Sequence, residues 1–111
     1  MTEEKHLNLR AQITRWVSDD NPGIVECRFT DRFNREWTLV EKRPVVTAAD
    51  IWSDSQFPQP AYIGCEIISR GRDDAGREIA EISTEKPWGI ETTDGATRFH
   101  VFADQLTKEG N

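Results

Sequence analysis

Several residue types that mark secreted, membrane-bound or metal-bound proteins are scarce in this sequence. Its 111 residues include two cysteines, Cys27 and Cys65, and two histidines. Two cysteines so far apart form neither a disulfide framework nor a zinc motif, so we expect free thiols. No apolar run approaches the roughly 20 residues of a membrane helix, and the charged start lacks the apolar stretch of a secretory signal. We therefore predict a cytoplasmic protein with no membrane segment, no metal and no cofactor.

Positive charge is in deficit, with 14 Lys and Arg against 20 Asp and Glu and a formal net charge of −6. This balance argues against a protein that coats nucleic acid, because such proteins gain affinity by neutralising phosphates. Arginines do cluster in two predicted hairpins, at 28–35 and 70–77, but acidic residues alternate with them. A binder of single-stranded nucleic acid therefore remains an alternative and is not the main hypothesis.

Leucine is scarce as well, and this bears on the fold class. The chain has 4 Leu against 15 Ile and Val and 10 Thr, and β-branched residues favour strands. Apolar and polar residues alternate in short segments, which predicts strands at about 7–17, 25–29, 36–42, 61–69, 78–84, 88–92 and 98–101. We predict one all-β domain over residues 1–111, a small barrel or orthogonal sandwich of six to seven antiparallel strands with one short helix. The ends, about 1–6 and 107–111, are expected to be mobile.

Three local signals interrupt the strand pattern. Pro44 lacks an N–H group and ends the third strand. Thr47 followed by an acidic residue at position 50 resembles a helix N-cap, which predicts a short helix over 48–53 that buries Ile51 or Trp52. The Asp-Gly pair in 93–96 predicts a hairpin turn before the last strand.

The sequence contains no arrangement that favours catalysis. Cys27 and Cys65 fall at inward positions of predicted strands, where an apolar environment raises a thiol pKa and suppresses reactivity. The adjacent acid pairs at 19–20 and 73–74 lie in turns, and turn formation explains them. No catalytic residue is predicted, and an enzyme is not favoured.

Tryptophan is the residue in unusual excess, with four in 111 positions. Trp37 shares a strand phase with Leu39 and is expected in the core. In a regular strand, Trp16 would lie on the same side as the polar residues Gln12 and Thr14. It would therefore point outward or into a second layer. Trp52 and Trp88 either cap the open ends of the barrel or anchor a partner, since tryptophan is enriched in binding hot spots.

These features favour a non-catalytic protein-binding module with an acidic, aromatic surface for a basic partner. An immunity-type inhibitor of a basic toxin is one concrete version. The candidate binding residues are Trp16, Trp52, Trp88, Tyr62 and His100. The alternative is a ligand-binding barrel or small enzyme with a pocket at one barrel mouth, lined by Trp52, Trp88, Tyr62 and His100. Self-association through an exposed edge strand, for example as a homodimer, is a third possibility.

Overall fold

The computed structural model describes residues 6–110 and confirms an all-β fold with one short α-helix. The strands are β1 His6–Ser18, β2 Ile24–Thr30, β3 Glu36–Lys42, β4 Gln59–Arg72, β5 Glu78–Ser83, β6 Arg98–Phe102 and β7 Leu106–Thr107. The helix α1 spans Arg43–Val46, and a 3-10 turn at Ala103–Gln105 precedes β7. Among the described residues, no helix has both the length and the apolar character needed to cross a membrane.

The strands form one antiparallel sheet in the order β3-β2-β1-β4-β5-β6, and β7 pairs with β1. The long strand β1 pairs with β4 over residues 6–13 and with β2 over 12–18. The sheet curls into a half-barrel. Two hydrogen bonds tie its far side to the region between β2 and β3: Arg32 N donates to His100 O over 2.9 Å, and Gln105 Nε2 donates to Thr30 O over 2.8 Å.

Alternate strand residues fill the concave side of this sheet. The buried apolar side chains come from six strands, α1 and the loops, and they are Leu9, Ile13, Val25, Cys27, Phe29, Leu39, Val46, Ile51, Ala61, Ile63, Cys65, Ala80, Ile82, Ile90, Phe99 and Val101. Phe99 contacts Phe29 and Trp37 edge-to-face, each at 5.1 Å between ring centroids. Trp37 is partly buried against this core, as its strand phase predicts.

A β-bulge changes the phase of β1 midway along the strand. Ile13 pairs with Cys27 and Arg15 pairs with Glu26, so Thr14 is an extra residue on β1. The Thr14 hydroxyl donates to Glu26 Oε1 over 2.7 Å, and Arg15 Nε donates to Glu26 Oε2 over 3.1 Å. The Thr14 hydrogen bond, followed by the Arg15 and Arg28 guanidiniums, lowers the Glu26 pKa despite the cost of burial.

The loop between β2 and β3 is organised around a buried carboxylate. Asp31 is 8% exposed, and its Oδ1 accepts hydrogen bonds from the backbone N–H groups of Phe33 and Arg35, at 2.9 and 3.0 Å. Its Oδ2 accepts from Trp37 Nε1 at 2.9 Å. These three bonds fix the loop to β3 and hold the Trp37 ring in its core position.

Two predicted elements are wrong and one strand was missed. No helix spans 48–53; α1 lies earlier, with Pro44 in its first turn, where the missing N–H costs no hydrogen bond. The Thr47 hydroxyl accepts from Ala49 N at 3.0 Å and forms a turn instead of a helix cap. No strand spans 88–92, because Ile90 N bonds to Thr84 O within a loop. The two-residue β7 carries too short a pattern to be predicted.

A turn forms at 93–96, with Gly95 N donating to Thr92 O over 2.8 Å, but the predicted hairpin is wrong because no strand precedes this turn. The expectation of mobile ends falls partly on residues 1–5 and 111, which lie outside the described residues. Of the remaining end residues, His6 begins β1 and Thr107 is buried in β7.

We expect Thr14→Val to destabilise the protein, because it removes a hydrogen bond to a buried, ionised carboxylate. Such bonds contribute about 1.5–3 kcal/mol. Because the pKa of Glu26 is lower in the folded than in the unfolded protein, its ionised carboxylate stabilises the native state at pH values above the unfolded pKa. This stabilisation is lost as the pH falls through the folded pKa. Urea unfolding at pH 7 and at pH 3 should therefore show a larger loss at pH 7. Thr14→Ser keeps the hydroxyl and serves as the control; an equal loss for both variants would contradict this role.

We also expect both thiols to resist alkylation in the folded protein. Burial raises the pKa of Cys27 and of Cys65 to about 12, so almost no thiolate is present at pH 8. Labelling with a maleimide and mass spectrometry should show slow modification in buffer and rapid modification of both cysteines in denaturant. Rapid labelling of the folded protein would contradict their core position.

Candidate functional site

Two of the tryptophans, distant in sequence, come into contact at one end of the sheet. Trp16, near the end of β1, lies 6.1 Å from Trp52 between ring centroids, with the ring planes inclined at 47°. Trp16 is partly buried against the core, whereas Trp52 is 50% exposed. The pair therefore consists of an inner ring anchored in the fold and an outer ring presented to solvent.

The expectation that Trp16 points outward or into a second layer is wrong, and the bulge in β1 explains why. The prediction assumed a regular strand, in which Trp16 would lie on the side opposite Leu9 and Ile13. The extra residue at Thr14 reverses the alternation, so Trp16 packs on the core side.

The turn that follows β1 closes around the Trp16 ring. Asp19 Oδ1 accepts a hydrogen bond from Trp16 Nε1 at 2.8 Å. Gly23 has φ 101° and lies so close to the ring that a Cβ atom there would be 2.5 Å from Trp16 Cη2. Glycine is required at this position for both its backbone conformation and its lack of a side chain.

The loop that carries Trp52 is held by several hydrogen bonds. Ser55 Oγ accepts from Trp52 N at 2.9 Å, and Ser55 N donates to Trp52 O over 3.0 Å. Ile51 is buried beside it. The Arg43 guanidinium lies 5.0 Å from the centroid of the Trp52 ring, and its Nη1 donates to Ala49 O over 3.1 Å. Trp52 is thus half-exposed but locally ordered.

Four aspartates lie close in sequence to this pair of rings. Asp19 and Asp20 belong to the turn around Trp16, while Asp50 and Asp54 flank Trp52 in its loop, and all four are exposed. Within residues 6–110, none of the four forms an ion pair. We call Trp16, Trp52 and these four aspartates the tryptophan–aspartate surface.

The other three candidate residues lie elsewhere. Trp88 is 65% exposed and covers Gly64 of β4, where an added Cβ would be 3.0 Å from Trp88 Cδ1. Tyr62 is two residues from Gly64 on β4 and therefore on the same face of the strand. His100 is exposed on β6, with its ring 5.7 Å from that of Phe33.

An open groove of about 670 Å³ lies beside β1, between the residues of β1 that pair with β7 and those that pair with β2. Of the residues predicted to line a barrel-mouth pocket, Tyr62 lines this groove. Arg10, Arg28 and Glu36 are among the other lining residues, so both signs of charge are present.

Most arginines of the two hairpins form ion pairs, some with acids of the same hairpin and some with acids from other segments, and Arg98 of β6 pairs with Glu81 of β5. The pairs are Arg28–Glu36 at 3.0 Å, Arg72–Glu78 at 3.1 Å, Arg77–Asp104 at 3.1 Å, Arg35–Asp94 at 3.8 Å and Arg98–Glu81 at 3.8 Å. Each pair offsets one arginine charge, which reduces the positive field available to a nucleic-acid backbone. Among the described residues, no group of three or more His, Cys, Asp or Glu side chains could hold a metal ion.

Sequence reasoning missed Arg43 and Phe33 as contributors to surface sites, and it considered Arg32 only as part of an arginine cluster. Phe33 is 61% exposed, and the Arg32 guanidinium lies 4.2 Å from the centroid of its ring. An aromatic residue between charged residues in a short loop was the available signal for Phe33. No local pattern marks Arg43, whose role depends on the distant Trp52.

We expect Gly23→Ala to disturb the support of Trp16. The substitution places a Cβ against the ring and a side chain at positive φ, which costs about 1–3 kcal/mol. Near-ultraviolet circular dichroism should lose tryptophan signal, and the urea midpoint should fall. Gly76→Ala is the control, since φ there is also positive, at 82°, but the added Cβ would meet nothing within 4 Å. Equal changes in the two variants would contradict a specific contact with Trp16.

Comparison with known proteins gives no family assignment. No family model matches the chain, and neither a curated protein nor a solved structure matches it.

Proposed function

We propose that this protein is a non-catalytic binding module whose tryptophan–aspartate surface docks a basic protein partner. The observation that supports this role most directly is the half-exposed Trp52 ring, which contacts Trp16 and has aspartates nearby in sequence that form no ion pair among residues 6–110. Exposed tryptophans on ordered supports are typical of binding hot spots.

The packing around Trp52 favours binding because little order has to be gained. Hydrogen bonds to Ser55 and the contact with Trp16 already restrict the loop and the ring. The cost of fixing a mobile side chain on association is therefore small. Burying the remaining half of an indole, about 100 Å², would contribute about 2–3 kcal/mol at ~25 cal/mol per Å².

The aspartates indicate the charge that we expect of the partner. Four exposed carboxylates around one aromatic anchor favour a surface rich in Lys and Arg, and complementary charge accelerates the encounter. An immunity-type inhibitor that covers the cationic substrate-binding face of a toxin is the specific version we favour. We assign this role to the cytoplasm, where the two buried thiols would remain reduced.

A small-molecule site in the open groove is the second candidate. Its volume, about 670 Å³, is within the range of ligand pockets, and Tyr62 supplies an aromatic wall with a hydroxyl group. We rank it second because the groove is open and its lining mixes both signs of charge.

We expect affinity capture from the source organism to recover a basic protein that depends on Trp52. Immobilised wild-type protein, Trp52→Ala and Trp88→Ala are compared, because Trp88 is an exposed tryptophan outside the surface. Loss of an interface tryptophan costs at least about 2 kcal/mol, or roughly thirtyfold in Kd. Binding of the purified partner should fall by that factor for Trp52→Ala and remain unchanged for Trp88→Ala.

Charge variants test the electrostatic part separately. Asp50→Asn/Asp54→Asn and Asp74→Asn/Glu91→Gln change the net charge equally, but only the first pair lies in the surface. The association rate should fall for the first variant and decrease with rising salt for the wild type. Equal losses in the two tryptophan variants, or an association rate insensitive to salt, would reject the proposal.

A further inference from the structure

The two arginine-bearing hairpins meet in a small pocket that is separate from the tryptophan–aspartate surface. Arg32 from the loop between β2 and β3 and Arg70 from β4 both line a pocket of about 110 Å³. The other lining residues are Ser69, Gly71, Ile79, Ala80, Glu81 and His100. The sequence indicated two separate clusters of arginine, and the fold brings one residue from each into the same cavity.

Two features of the backbone create this meeting. Arg32 N donates to His100 O over 2.9 Å, which attaches the loop to β6. In β4, Ile67 pairs with Ile82 and Ser69 pairs with Glu81, so one extra residue reverses the phase of the strand. Beyond this bulge Arg70 lies opposite Ala80, which belongs to the buried side of β5. Arg70 is exposed at this position and lines the pocket.

Arg32 differs from the ion-paired arginines of the molecule. Its guanidinium lies over the Phe33 ring and, among residues 6–110, donates no hydrogen bond and forms no ion pair; its Nε is buried without an acceptor. Glu81 is the acid in the pocket lining, and its carboxylate lies 3.8 Å from Arg98 Nη1. A pocket with two arginines, a histidine and one offset carboxylate is suited to an anion.

We propose that this pocket binds the phosphate group of a small phosphomonoester. The volume admits one tetrahedral anion, and guanidinium groups bind phosphate oxygens in a bidentate manner. The backbone around Gly71 approaches the pocket without a side chain. A neighbouring cavity of about 290 Å³ shares Arg70, Gly71 and Ile79 with this pocket, which leaves room for the organic part of the ligand. Its other lining residues are Ala103 and the ion-paired Arg72 and Glu78.

Backbone amide NMR of the wild-type protein tests the site directly. Inorganic phosphate, glycerol phosphate, acetate and a short single-stranded DNA without a terminal phosphate are titrated at constant ionic strength. We expect saturable shifts at Arg32, at 69–71 and at His100, with glycerol phosphate at least as tight as inorganic phosphate and acetate weaker than both. Shifts confined to other residues, or acetate binding as tightly as phosphate, would overturn the proposal.

Variants separate this site from nonspecific charge effects. Arg32→Gln and Arg70→Gln should each weaken phosphate binding about tenfold, because each removes a charged hydrogen-bond donor. Arg15→Gln removes the same charge outside the pocket and should leave the affinity unchanged. Equal affinities in all three variants would reject the site, and tighter binding of the DNA than of glycerol phosphate would replace it with a nucleic-acid surface. If Arg32→Gln fails to fold, the wild-type shifts and Arg70→Gln decide the question.

Discussion

One extra residue in β1, Thr14, determines which side of the sheet the end of the strand faces. Without this bulge, Trp16 would point away from the core, and Trp52 would lose the ring on which it rests. The bulge is held by the Thr14 hydroxyl and the buried Glu26 carboxylate, whose charge is balanced by two arginines. We infer that this buried ionic group fixes a backbone register that apolar packing alone would leave open.

The strands that follow strict alternation were predictable from sequence, and β2 and β3 are close to their expected bounds. Alternation fails as a guide wherever a residue is inserted, because a bulge changes the phase without changing the composition. The expected helix at 48–53 failed for another reason. Thr47 has the chemistry of an N-cap, but its hydroxyl closes a turn with Ala49, and the helix forms where Pro44 already has a suitable φ.

The candidate site was predictable only in its components. The excess of tryptophan and the acidic turns are visible in the sequence, and Trp52 is exposed as a partner anchor requires. The contact between Trp16 and Trp52 depends on the curl of the sheet and on a loop with no repeating pattern. The same holds for Arg32 and Arg70, which become neighbours through a second bulge and through the hydrogen bond to His100.

The electrostatic effect of the net charge of −6 depends on where the carboxylates lie. Arginines of the two hairpins lie 3.0–3.8 Å from acidic side chains of the same hairpin or of other segments, so the fields of these pairs largely cancel at a distance. Around Trp52 the aspartates have no ion-pair partner among the described residues, so their charges add. At physiological salt the field of exposed charges decays over about 8 Å. A basic partner of the kind we propose would therefore sense the nearby cluster more than the net charge of the chain.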